Sequence, residues 1–173
     1  VDDNGKILPD GEVGHIAICT EKKWPPGLFH GYLQNKVIVK DSFRHGWYYT
    51  GDTASRDKDG YLWFVGRSDD LISSAGYRIS PFEVESALLE HDLIAESAVV
   101  GVPDETRGQL VKAYIVLVEG YKGSNELIRE IQDFCKNLTA PYKYPRKVEF
   151  VESLPKTISG KIRRVELREI ENK

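Results

Sequence analysis

"LISSAGYRISPFEVESALLEH", residues 71–91, decides the fold of this chain. Its first ten residues are strand-like, with Gly76 near the middle. The rest opens a helix. Ser80 is a good N-cap, Pro81 suits the first helical position, and Glu83 completes a capping box with Ser80. Upstream of this stretch the texture is strands and loops; downstream, strands alternate with helices. The change of texture falls near Ser68.

Working downstream, "IAESAVVGVPD" (94–104) is a strand ending in a turn. "LVKAYIVLVEG" (110–120) is a strand nearly continuous in apolar residues, the pattern of a central one. "SNELIREIQDFCKNL" (124–138) is an amphipathic helix, with Leu127, Ile128, Ile131, Phe134, Cys135 and Leu138 on one face. "APYKYPRKVEFV" (140–151) is a loop leading into a short strand, and "GKIRRVELREIENK" (160–173) is a final helix. The order after residue 68 is β, α, β, β, α, β, α, which predicts an α+β domain with helices on one face of a small sheet.

Working upstream, "GEVGHIAIC" (11–19) alternates as a strand after a turn. "KKWPPGLFHGYL" (22–33) is a loop broken by two prolines and two glycines. "GWYYTGDTASRDKDGYLWFVGR" (46–67) reads as strand, polar loop, turn and strand. The expected domains are a β-rich segment 1–68 and an α+β segment 69–173. The chain opens in mid-pattern without an initiator Met, so a piece of a longer protein is expected.

Composition excludes several classes. The 173 residues carry 24 basic and 27 acidic side chains, a net charge of −3. No basic excess points to nucleic acid or an anionic membrane. No apolar run approaches the ~18 residues of a membrane-spanning helix. Cys19 and Cys135 are far apart, which suits a reducing, cytoplasmic-type compartment. The four histidines show no metal-ligand spacing.

Three short motifs are ambiguous when read singly. "LPKTISGKIRR" (154–164) places Lys161 after Gly160, but Pro155 and Ile162 break the full phosphate-loop pattern. Lys161 is either a solvated lysine at a helix start, where the dipole slightly disfavours it, or a functional cation. In "TGD" (50–52), Asp52 either stabilises a turn or accepts two hydrogen bonds from vicinal hydroxyls. Arg67, followed by Asp69 and Asp70, suits an ordinary surface ion pair.

Taken jointly, the motifs carry more. "WYYTGD", "GYLWFVGRSDDLISSAGYRISPFEVESAL", "AVVGVPDETRGQ" and "LPKTISGKIRR" stand in the order and spacing of the adenylate-forming superfamily. That superfamily comprises acyl-CoA synthetases, peptide-synthetase adenylation domains and luciferases. The chain resembles its C-terminal portion from "GEVGHIAI" onward, and most closely the medium-chain acyl-CoA synthetases.

The resemblance implies a ligase that converts a carboxylic acid and ATP to acyl-AMP and then transfers the acyl group to CoA. It implies residues 1–68 as the end of a large adenylating domain and 69–173 as a mobile lid. Lys161 then matches the catalytic lysine of adenylation, Asp52 and Arg67 the ribose-side nucleotide residues, and Asp69 the hinge. Arg78 is expected near the nucleotide phosphate. Ala75, Gly76 and Tyr77 are expected to line a pantetheine tunnel. Arg107, Lys136, Tyr144 and Arg146 match CoA-binding positions, where cations suit the phosphates. Mg would accompany ATP, with its ligands in the large domain, and the fragment alone is expected to be inactive. Trp24, Phe29 and Trp47 are expected to expose apolar surface on which a homodimer or partner contact could form. The competing readings are a freestanding lid module and a peptide-synthetase adenylation domain, which would deliver to a carrier protein.

Overall fold

A computed structural model describes residues 1–30 and 41–171. The chain divides into two compact units, Val1–Asp69 and Asp70–Lys173. Expectations for residues 31–33 of the proline- and glycine-broken loop lie outside the described residues.

The first unit is an antiparallel sheet of β1 (Val13–Cys19), β2 (Phe43–Arg44), β3 (Trp47–Arg56) and β4 (Leu62–Arg67). β3 is its spine. β1 runs along one edge of β3, while β2 and β4 divide the other between them. β3 continues through "TGDTASR", which the sequence suggested as a polar loop. Its hydroxyls are used in place: Thr50 donates to the Ile16 carbonyl (2.9 Å) and Thr53 to the Gly66 carbonyl (2.9 Å). The turn into β4 is organised by Asp57, which accepts from the Asp59 and Tyr61 amides and the Trp63 indole.

The expected apolar surface does not form on the three predicted aromatics. Trp24, Phe29 and Trp47 are half-buried. Trp24 stacks on His30 and Phe43, and Phe29 meets Phe43 and Tyr48 edge-on. Nothing supports the homodimer placed on these side chains. The exposed apolar run is instead Tyr61, Leu62, Trp63 and Phe64.

The second unit begins with a hairpin of β5 (Ile72–Ser74) and β6 (Tyr77–Ile79). What reads as one strand in sequence reverses at Ala75-Gly76, both at positive φ (49° and 83°). That is the left-handed pair a tight two-residue hairpin turn requires. Helix α1 (Pro81–Leu89) follows, and its N-cap Ser80 accepts from the Glu83 amide (3.4 Å). β7 (Ile94–Asp104) and β8 (Gly108–Leu117) pair antiparallel along their length. Helix α2 (Asn125–Leu138) is capped by Ser124. β9 (Lys147–Phe150) joins β8 in parallel, and helix α3 (Arg164–Glu171) ends the unit.

The helices do not share one face of this sheet. Val84, Ala87 and Leu88 of α1 and Leu127, Ile131 and Cys135 of α2 pack against Val99, Val111, Ala113 and Ile115. Leu167 of α3 and Leu154 cover the opposite face, against Ala98, Val100, Val102 and Tyr114. Burial on both faces is why β7 and β8 are nearly continuous in apolar residues. Among the described residues, no helix is long and apolar enough to cross a membrane.

Candidate functional site

In the first unit, β3 and β4 set Asp52 directly opposite Arg67. Arg67 Nη1 donates to Asp52 Oδ1 (3.3 Å) and to the Thr50 carbonyl (3.2 Å), while Nε donates to Asp69 Oδ1 (3.3 Å). Burial opposes the guanidinium charge, but Asp69 and Asp52 outweigh it and raise its pKa above the ordinary arginine value. Gly51 makes the arrangement possible. Its φ is +85°, and a Cβ there would lie 2.7 Å from both terminal guanidinium nitrogens. The Gly51 carbonyl also accepts from the amide (2.8 Å) and hydroxyl (3.1 Å) of Ser68. Two carboxylates thus share one arginine at the end of this unit. All three side chains are at least a third exposed and open to a ligand.

In the second unit, the hairpin tip joins two other segments. The Ala75 amide donates to the Arg107 carbonyl (2.9 Å), and the Tyr77 ring stacks on Tyr142 (4.1 Å between centroids). Arg107 sits in the β7–β8 turn, where Asp104 accepts from the Thr106 and Arg107 amides. A Cβ on Gly76 would meet nothing within 4 Å, so its φ, not crowding, is what requires glycine within this unit. Arg78 is exposed on β6, opposite Ser73.

Two residues beyond Tyr142, Tyr144 lies close to two cations. Lys136 Nζ is 4.5 Å from its ring centroid and the Arg146 guanidinium carbon 4.8 Å, and Arg146 Nη1 donates to the Tyr144 hydroxyl (2.9 Å). The hydrogen bond from Lys136 to Asp133 (2.7 Å) raises the lysine pKa. Lys136, Tyr144 and Arg146 therefore form one aromatic and cationic cluster, connected through the 142–146 segment to the hairpin tip and on to Arg107. Such a surface can hold phosphate and stack a planar ring. Tyr142 was missed in the sequence. Its signal, a tyrosine among lysines, is too common to single out without the partner ring.

Lys161 is not at a helix start. It sits in a tight turn closed by the Lys156–Ile162 bridge, and α3 begins only at Arg164. The Gly160 amide donates to the Thr157 carbonyl (2.9 Å), the Thr157 amide to the Lys161 carbonyl (2.8 Å), and the Lys161 amide to Thr157 Oγ1 (3.1 Å). The unfavourable helix-dipole contact expected for Lys161 does not arise. Thr157 and Gly160, at φ +83°, build the turn, and Lys161 is exposed.

A buried ion cluster also escaped the sequence reading. Arg164 grips Glu85 through Nε (3.1 Å) and Nη2 (2.6 Å) and reaches Asp70 through Nη1 (3.4 Å). Arg168 meets the other Asp70 oxygen (2.6 Å). Glu85 also accepts from the Val99 amide (2.7 Å), and burial raises its pKa against the opposing pull of Arg164. Among the described residues, no cluster of three His, Cys, Asp or Glu could hold a metal.

Residues 83–161 match the model of the AMP-binding enzyme C-terminal domain. The chain is 59% identical over 172 residues to 4-hydroxybutyrate–CoA ligase 1 of Metallosphaera sedula, covering 99% of this chain and 30% of that protein. It is 56% identical over 173 residues to mouse mitochondrial acyl-coenzyme A synthetase ACSM3, with 99% and 30% covered. It spans about 30% of the length of these relatives. Among solved structures, it is similar to the anthranilate CoA ligase AuaEII in complex with anthranoyl-AMP. The TM-score is 0.83 at 42% identity, over 99% of this chain and 32% of that one. A benzoate CoA ligase from Burkholderia xenovorans gives a TM-score of 0.79 at 39% identity, over 96% and 32%. Residues 83–161 thus carry the AMP-binding enzyme C-terminal domain, and nearly the whole chain is similar to part of acyl-CoA synthetases and other CoA ligases.

Proposed function

We propose that this chain is the C-terminal portion of an ATP-dependent, AMP-forming acyl-CoA synthetase acting on a medium-chain carboxylic acid. Residues 1–68 close the large adenylating domain, and 69–173 form the moving lid. The observation that carries the reading is likeness along nearly the whole chain to CoA ligases, which extends over both units. The named relatives act on unlike acids, 4-hydroxybutyrate, anthranilate and benzoate. What they share in this stretch is therefore best read as the handling of ATP and CoA, with the acid pocket elsewhere. The two free cysteines suit a reducing compartment, cytoplasmic in our reading, although the relatives include mitochondrial enzymes.

In this reading the acid's carboxylate oxygen attacks the α-phosphate of ATP and pyrophosphate leaves. Asp52 accepts the ribose hydroxyls, with Arg67 holding its carboxylate. The Lys161 ammonium meets the charge that gathers on the phosphoryl oxygens, stabilising the transition state more than the ground state. The lid then turns about Asp69. The CoA thiol attacks the acyl carbon, and AMP leaves as the thioester forms. The hairpin tip at Ala75, Gly76 and Tyr77 flanks the pantetheine, and Arg78 faces the nucleotide phosphate. Arg107, Lys136, Tyr144 and Arg146 hold the phosphate-bearing end of CoA.

The test is Lys161→Ala in the full synthetase, assayed by half-reaction. Acyl-dependent pyrophosphate release should fall on the order of 10²–10³-fold. Thioester formation from supplied acyl-adenylate should persist. Equal loss of both contradicts the assignment. The 173-residue chain alone should release no pyrophosphate.

A further inference from the structure

The Asp70–Arg164–Glu85 cluster is not used by the mechanism above, yet it sits at two critical places. Asp70 directly follows the proposed hinge residue. Arg164 stands three residues after Lys161, at the first position of α3. Glu85, on α1, is buried, and Asp70 and Arg164 are largely covered. Stability alone is a weak reason for such a cluster, because well-packed apolar residues often serve equally well. What ion pairs of this kind add is a fixed geometry. The guanidinium fork binds two carboxylates at once in one orientation, which a lysine cannot do. The other root of the loop is also held. Lys156 pairs with Glu96 (2.6 Å), and the Arg163 amide donates to the Pro155 carbonyl (2.9 Å). Between these anchors the turn bearing Lys161 makes only its own hydrogen bonds among those described above.

We propose that Arg164 is a positioning residue for Lys161. Gripped by Glu85 and Asp70, it fastens the root of the lysine loop to the point where the chain leaves the hinge, so that one motion carries both. A turn about Asp69 then delivers Lys161 as part of a rigid body rather than on a loose tether. The inference rests on the proposed role of Lys161 in adenylation.

The experiment is Arg164→Lys in the full synthetase, alone and combined with Lys161→Ala. A mispositioned lysine should lower the adenylation kcat about tenfold or more. Thioester formation from supplied acyl-adenylate should stay within about twofold, and the double variant should adenylate no worse than Lys161→Ala alone. Amide hydrogen exchange at Gly160 and Lys161 should quicken. Asp70→Asn, which leaves the Arg164–Glu85 pair intact, should shift both readouts the same way to a smaller degree and serves if Arg164→Lys does not fold. Unchanged adenylation, equal loss of both half-reactions, or an additive loss in the double variant would overturn the proposal. So would unchanged exchange, whatever the activity. A wild-type synthetase that makes no acyl-adenylate would instead sink the parent reading, and the exchange result would still decide whether Arg164 positions the loop.

Discussion

Arg67 reaches the Asp52 carboxylate across the bare backbone of Gly51, Nη1 to Oδ1 at 3.3 Å. The glycine is doubly required, by its φ of +85° and by the guanidinium that occupies the space of a Cβ. Gly51→Ala should cost about 1–2 kcal/mol in backbone strain and push Arg67 off its partner. In the full synthetase the KM for ATP should rise about tenfold, the loss of about one charge-assisted hydrogen bond. The KM for CoA should not move. Steady-state kinetics with each substrate varied would check this, and an unchanged KM for ATP would contradict it.

Tyr144→Phe keeps the ring beside Lys136 and Arg146 but removes the hydroxyl that accepts from Arg146. Loss of one such bond is worth roughly 1 kcal/mol. Thioester formation should show a KM for CoA raised severalfold, with the adenylation rate unchanged. A thermal melt should show little loss of stability, since the ring stays packed. A fall in adenylation would place Tyr144 outside the CoA group.

Lys112 is buried under the second face of the sheet and pairs with Glu149 (2.7 Å) and Glu171, while the Tyr114 hydroxyl donates to Glu171 (2.6 Å). Burial favours a protonated Glu171, but hydrogen bonds from Lys112 and Tyr114 outweigh it and hold its pKa below the ordinary value of 4.5. The Tyr114 hydroxyl is pushed up to about 12, chiefly by burial, so it remains a donor. A depressed carboxylate stabilises the fold above its unfolded pKa, and that contribution is lost as pH falls through the folded value. Glu171→Gln should therefore cost about 1 kcal/mol at pH 7 and progressively less below pH 4.5. Chemical denaturation of both proteins between pH 3 and 7 would check this. A gap that widens on acidification would reverse the assignment.

Legibility in the sequence followed the range of the forces involved. Helix α1 is readable because Ser80 caps its own next turn, and α2 because its apolar residues recur at helical spacing on one face. The doubly apolar β8 was readable because burial on both faces leaves a continuous run. The hairpin at 72–79 was not, because Ala75 takes a left-handed conformation that its side chain gives no hint of. The start of α3 was misplaced because the turn before it is set by a bridge between Lys156 and Ile162. For the candidate site, Asp52, Arg67 and Lys161 are ambiguous singly and stand out only when their motifs are read together. The stacking of Tyr77 on Tyr142 and the pairing of Asp70 with Arg168, 98 positions away, arise only when the chain closes.

Among the described residues, both apolar clusters of the sheet that α1, α2 and α3 cover are completed by residues 72–167 alone. A splice made between Asp69 and Asp70 leaves neither of them half-filled. Recombination between distant relatives at that joint would exchange one finished module for another, inheriting the proposed lysine loop and CoA surface without repacking an interior. Selection could then vary the two units as separate pieces of one protein.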